Sequence, residues 1–275
     1  MKAYFLALIG LWAIPSASEI LEPLPEAASR KELRFQPYID FDKDGCYNTA
    51  AIDANGRRNP GIMKSFSPSK NCRNKKQLLN SNVYSRKRCN HGYCAIMYEY
   101  YFEKDQATGL SGHKHDWENI VVFTKGDREV VRIAATEEHS KYRYTKDCVD
   151  WSDCPIPFEG ERHAKLVYHK VRGDMHSFRF AKEEEGENGI EKAENHFHRF
   201  YKSPLVGWDD WPSDELRDKL VNWHDFTKPS IGGKRFGRAL KKAAGSFKMV
   251  GEFNPFQERD EDEPIPDEDW DEDEE

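Results

Sequence analysis

The sequence predicts a mainly β domain, a sandwich or a barrel. Two observations carry this prediction. The 275-residue chain is 13% aromatic, a composition that favours strands. Its middle also strings short strand-like runs between turn signals. A hydrophobic content of 37% supplies material for a core. The length suits one large β domain or two ordinary ones.

Residues 1–18 read as a secretory signal. Lys2 gives a minimal positive start, Ala3–Ile14 a short apolar stretch, Pro15 a break, and Ser16 and Ser18 a small-residue cleavage site. A buried N-terminal helix is the competing reading. A membrane span is not expected, because the run falls short of the ~20 residues a bilayer requires. The mature protein is expected to be soluble, secreted and extracellular, with one domain over 19–257.

Residues 19–34 are polar and Pro-punctuated, which predicts a loose leader. "FQPYIDFDKDGCYNTAAIDANGRRNPG" alternates short extended pieces with turns at Asp44-Gly45 and Asn55-Gly56. "YCAIMYEYYFEKD" (93–105) predicts an aromatic-rich strand. "NIVVFTKGDREVVRIAA" (119–135) predicts a hairpin turning at Lys125-Gly126-Asp127. "HAKLVYHKV" (163–171) predicts another strand, and "EEEGENG" (183–189) an exposed loop. Two helices are predicted. Ser213 caps "DELRDKLVNW", where Leu216, Leu220 and Trp223 share a face. "GKRFGRALKKAAG" (233–245) sets Phe236, Leu240 and Ala244 inward and its Lys and Arg residues outward.

The formal net charge of −7 hides an asymmetry. Residues 258–275 carry 13 acids and one Arg, which leaves the preceding 257 residues at +5. The tail is expected to be a solvated, disordered acidic appendage. Masking of basic surface is one role open to it. Nothing points to nucleic acid as a partner, and a monomer is expected.

The six cysteines form an even set, which suits a disulfide framework in an exported chain. Proximity pairs Cys89–Cys94 and Cys148–Cys154, leaving Cys46–Cys72. A zinc site is disfavoured, since no C-x-x-C pair is present. No N-x-S/T sequon occurs.

The densest chemistry lies in "GHKHDWENIVVF" (112–123). An extended backbone would place His113, His115 and Trp117 on one side and Lys114, Asp116 and Glu118 on the other. The strand is predicted to begin near Asp116. Gly112 permits a sharp turn before it, so His113 can swing toward Asp116 and Glu118. Asp105 ends the preceding strand, and the short "QATGLSG" link allows it to face the same spot. Three carboxylates and an imidazole repel unless neutralised. A divalent cation such as Mg²⁺, Ca²⁺ or Mn²⁺, rather than zinc, suits oxygen donors of this kind, and Mg²⁺ or Ca²⁺ is the expected cofactor. The alternative is a salt-bridged strand end carrying two incidental histidines.

"GHKHDWE" resembles the G-H-R-H-D-W-E heptad of the necrosis-inducing protein family, the necrosis- and ethylene-inducing-like proteins. "AIMYEYYFEKDQ" (95–106) and "GCYNTAAIDANG" resemble two further family blocks. "NVYSRKR", "HSKYRY", "KLVYHK", "HSFRFA" and "LVGWDDWPS" follow in order, so the likeness spans roughly residues 35–245. The resemblance implies a β-sandwich flanked by helices, similar to the actinoporins. It implies a cytolysin-like plant effector that uses a divalent cation to bind glycosylinositol phosphorylceramides, the sugar-headed sphingolipids of plant plasma membranes. Plant immune receptors are further partners it allows, since they could sense the "AIMYEYYFEKDQ" and "GHKHDWE" blocks as peptides.

By the resemblance, Asp105, His113, Asp116 and Glu118 hold the cation. His115 and His169 support it from behind, with simple packing as the alternative. Asp53 lines the sugar cleft, or else serves only as a turn-former. Trp151, within "CVDWSDC", is a candidate membrane-facing aromatic or packs on its own disulfide. Departures from the family pattern are Lys114 for Arg, Glu103 for Pro and Tyr100 for Trp. Many members are not cytolytic, so the heptad does not decide toxicity. An enzyme is not expected. A metal-activated water beside His115 and Glu118 would serve a hydrolase or lyase, but no nucleophile elbow, zinc-binding helix motif or paired glycosidase signature accompanies it.

Overall fold

The computed structural model describes residues 20–258, apart from 110, 128, 138–140, 146–157, 161, 172–174, 185–188, 224–226 and 246–251. The expected signal segment, the Cys148–Cys154 pair, Trp151 and the tail beyond Glu258 lie outside the described residues.

Two sheets face each other, and helices cover the outer face of the larger one. The larger sheet is built on a meander: β2 (Val83–Asn90), β3 (Tyr93–Asp105), β4 (His113–Lys125), β5 (Glu129–Glu137) and β6 (Lys141–Tyr144). Each pairs antiparallel with the next, and β10 (Leu205–Gly207) adds parallel to β2 at the edge. In the second sheet β1 (Tyr38–Phe41) runs parallel to β8 (His163–Lys170). β7 (Phe158–Glu159) and β9 (His176–Phe180) both pair antiparallel with β8.

Pleat alternation sorts the meander's side chains into two cores. Even-numbered Ile96, Tyr98, Tyr100, Phe102, Ile120 and Val122 face the second sheet and meet Phe41, Leu166, Tyr168 and Phe178. Odd-numbered Ala95, Met97, Tyr101, Trp117, Val121 and Phe123 face α3 (Asp214–Val221) and α4 (Gly233–Ala244), through Leu216, Leu220, Phe236 and Leu240. Burial on both faces explains why β3 reads as an unbroken aromatic run. It also makes the protein a sandwich and not a barrel.

Most predicted elements stand where the sequence puts them, with three differences. Residues 20–37 are not a loose leader. Leu21, Leu24 and Phe35 are buried, and Ser29 with Glu32 forms a capping box on α1 (Arg30–Phe35). β4 begins at His113, three residues before the expected start, because Lys114 and His113 still pair with Lys104 and Asp105. In α4 the inward alanine is Ala243 rather than Ala244, which is only partly buried. Sequence reading also passed over α2 (Lys75–Leu79), which is capped by Asn74. Disulfides join Cys89 to Cys94, as proximity predicts, and Cys46 to Cys72, the pair that remained.

Ser213 accepts a hydrogen bond from the Leu216 amide at 3.2 Å, as an N-cap should. Ser213→Ala is expected to cost about 1 kcal/mol and to lower the melting temperature by ~2–4 °C, read by thermal denaturation.

Candidate functional site

The chemistry gathers where β3 ends and β4 begins. Antiparallel register sets Asp105 opposite His113, Phe102 opposite Asp116 and Tyr100 opposite Glu118. Gly112 makes the connection possible. Its φ is +94°, and a Cβ there would lie 2.2 Å from the Asp105 carbonyl oxygen, so no other residue fits.

An uninterrupted strand would send His113 to the face opposite Asp116. The break is at His115, whose φ of +57° is unusual for a residue with a side chain. After this kink, His113 lines the same cavity of about 470 Å³ as Asp116 and Glu118. The His115 ring is held in the helical layer instead. Its Nδ1 is 2.6 Å from the Tyr101 hydroxyl, and its ring packs edge-on against Trp223. Gly61 closes over it, with room for a Cβ only 2.5 Å from His115 Cε1. His115 therefore supports the site through its backbone. Its carbonyl accepts from His113 Nδ1 at 2.8 Å and from Thr227 Oγ1 at 3.0 Å.

The three carboxylates differ in environment. Asp105 is buried and ion-paired: its oxygens accept from the His176 amide at 3.0 and 3.1 Å and from His176 Nδ1 at 2.8 Å. Burial of the His176 ring opposes its charge. Its hydrogen bond to Asp105 and the Asp44 carboxylate 3.7 Å from Nε2 outweigh burial and push the imidazole up to about 9. Asp116 has no such partner. Burial, then the nearby Asp105 charge, raises its carboxyl to about 7, although His113 and His176 pull it back. Glu118 is raised well above the usual range by burial and by Asp116. Asp116 Oδ2 and Glu118 Oε2 are inaccessible to solvent, yet neither has a hydrogen-bond partner.

Two orphaned carboxylate oxygens that raise each other's affinity for protons are a fit for a hard cation. Among the described residues, however, no three His, Cys, Asp or Glu donors converge tightly enough to form a metal cage. Asp105 is turned to His176 and His113 Nδ1 to a carbonyl. Asp116 and Glu118 are thus the donors left available.

His169 does not join this group. It follows Tyr168 on β8 and so points to the other face, where burial and then Arg179 and Arg143 lower it to about 4. Sequence reasoning missed His176, although it heads the "HSFRFA" block. Asp53 organises its own turn: it accepts from the Asn55 and Arg57 amides at 3.0 and 2.9 Å and pairs with Arg57 Nε at 3.0 Å. Lys228, Arg238 and Lys242 line the same cavity. Among the described residues no helix is long and apolar enough to cross a membrane.

Comparisons with known proteins bear on the family and the fold. The chain is 39% identical over 114 residues to the necrosis-inducing protein NPP1 of Phytophthora nicotianae, covering 40% of this chain and 46% of that protein. It is 31% identical over 148 residues to NLP effector protein Pc107869 of Phytophthora capsici, covering 51% and 42%. The chain thus spans about half the length of the curated relatives it matches. Its fold matches the solved non-toxic HaNLP3 protein, with a TM-score of 0.66 and 27% identity over 83% of this chain and 98% of that one. It also matches NLPPya in complex with mannosamine, with a TM-score of 0.63 and 26% identity over 81% and 95%. The family model for necrosis inducing protein (NPP1) matches residues 29–243, a stretch running from the α1 cap to the end of α4, and on that ground the chain belongs to the necrosis-inducing protein family.

Proposed function

We propose that this protein is a secreted, non-enzymatic effector whose cavity at the start of β4 holds Mg²⁺ or Ca²⁺ and captures sugar headgroups of glycosylinositol phosphorylceramides at the plant plasma membrane. Necrosis or an immune response follows. The observation that carries this reading is the orphaned oxygen pair, Asp116 Oδ2 and Glu118 Oε2, in one cavity. Asp116 and Glu118 would hold the ion, with Asp105 and His113 beside them. A bound cation would neutralise the carboxylates and present a Lewis-acidic centre to sugar hydroxyls. His176 holds the Asp105 charge in place, and the His115 carbonyl orients His113. The similar protein NLPPya, solved in complex with mannosamine and with glucosamine, supports a sugar as the ligand.

Asp116→Ala is expected to abolish sedimentation with liposomes containing glycosylinositol phosphorylceramide. Removing a buried, unpaired carboxylate should leave the fold at least as stable, so thermal denaturation separates lost binding from lost folding. Millimolar Mg²⁺ or Ca²⁺ is expected to raise the melting temperature of the native chain, because a ligand of the folded state stabilises it, and to leave Asp116→Ala unmoved. Retained lipid binding by the variant would refute the site.

A second reading is a non-cytolytic family member. The similarity to a protein solved as non-toxic favours it. Infiltration of purified protein into a dicot leaf, beside Asp116→Ala, distinguishes the two: necrosis by the native chain alone marks a cytolysin.

A further inference from the structure

We propose that the acidic segment 259–275 docks on the basic face of α4 in its own chain. α4 exposes Lys234, Arg238, Lys241 and Lys242 along one stripe, at spacings of three and four residues. The helix carries no acid, and among the described residues none of these four side chains has an ion-pair partner. Like charges three and four residues apart destabilise a helix, and Lys234 also opposes the positive end of the helix dipole. Such a stripe lacks only its counter-charge.

The fold delivers that counter-charge to it. Phe253 is buried against Phe123. Asn90 accepts from the Asn254 amide at 2.7 Å and donates to the Asn254 and Gln257 carbonyls at 2.9 and 2.7 Å. Pro255 and Phe256 then cross α4 at Gly237, where a Cβ would sit 2.7 Å from the Phe256 ring. Glu258 ends the described chain in ion pairs with Arg88 and, at 3.5 Å, Arg86. It thus belongs to the folded body and not, as the sequence suggests, to the tail.

Seventeen residues follow, with 12 acids and one Arg. They span up to ~60 Å when extended, against ~18 Å for the length of α4, so reach does not limit contact. The complementarity is one-sided acid against one-sided base. Arg238 and Lys242 of this stripe also line the β4 cavity. Docking is independent of whether that cavity takes a sugar.

The test is zero-length carbodiimide crosslinking of the full chain, mixed as equal parts ¹⁴N and ¹⁵N protein at low ionic strength. Tail carboxylates are expected to couple to Lys234, Lys241 and Lys242 within one isotopic chain, several-fold more than to exposed Lys76. Arg238→Glu, which leaves those lysines in place, should reduce the coupling several-fold, and so should 0.5 M salt, which screens exposed charges. Even coupling to all surface lysines, coupling unchanged by Arg238→Glu or by salt, or predominantly mixed-isotope pairs that make a second copy the occupant would each overturn the proposal.

Discussion

Phe102→Ala is expected to destabilise the protein by about 3–5 kcal/mol and to lower its melting temperature by about 10 °C. Phe102 is fully buried on β3. Its ring stacks on Tyr168 of the opposite sheet with centroids 3.9 Å apart at 11°, and Phe178 lies 6.4 Å away. Truncation removes the aromatic contact and leaves a cavity that the flanking strands, fixed by their ladders, cannot close. Phe102→Leu refills part of it and should cost much less. Phe102 also pairs directly with Asp116 across the β3–β4 ladder. Its loss should therefore loosen the carboxylates as well as the core. Urea unfolding of the two variants gives the stability difference. Equal midpoints for Phe102→Ala and the native chain would mean that the sheets are not clamped here.

Much of this fold is legible in the sequence because each element states its own period. The run at 93–105 and the hairpin at 119–135 show strand composition and turn residues locally, and Ser213 announces α3. The β1–β8 pairing was not legible, because its register is a long-range packing result that no local signal encodes. The leader was misread for a different reason. Ser29-x-x-Glu32 is a capping signal, but the Pro residues around it dominate composition. Within the site, the convergence of Asp105 with Asp116 follows from a short link and antiparallel pairing, and spacing anticipates both. The αL kink at His115 is invisible to spacing. It depends on Tyr101, Trp223 and Gly61 closing round one ring, and it decides which face His113 occupies. His176 arrives from a strand 71 residues after Asp105, so only the folded chain shows that it, and not His169, is the imidazole paired with that carboxylate.

Alkaline conditions are expected to weaken the fold through Glu99, and Glu99→Gln should remove that share of the pH dependence. Glu99 is fully buried on β3, and Oε1 accepts from the Ser230 amide at 2.9 Å while Oε2 has no hydrogen-bond partner. Burial raises its carboxyl to about 8, against the opposing pull of the Ser230 and Ile231 amides and of Arg235. In the unfolded chain a Glu titrates near ~4.3. Between these values the folded state keeps a proton that the unfolded state has released. The contribution is therefore fully present below ~4, declines as pH rises, and is lost above about 8. The gap corresponds to a few kcal/mol. Gln keeps the acceptor for Ser230 and cannot ionise, so Glu99→Gln should be the more stable protein at pH 9 and nearly equal at pH 5. The slope that remains is shared by Asp40, Asp42, Glu103, Asp116 and Glu118, whose carboxyls burial raises in the same direction. Urea titrations at pH 5, 7 and 9 separate the contributions: parallel curves for the native and Glu99→Gln proteins would show that Glu99 is already ionised within the fold. Ser230 also lines the β4 cavity. Ionisation of Glu99 beneath it would add a third negative charge to the two orphaned oxygens, so the same titration that weakens the apo protein should strengthen its hold on a divalent cation.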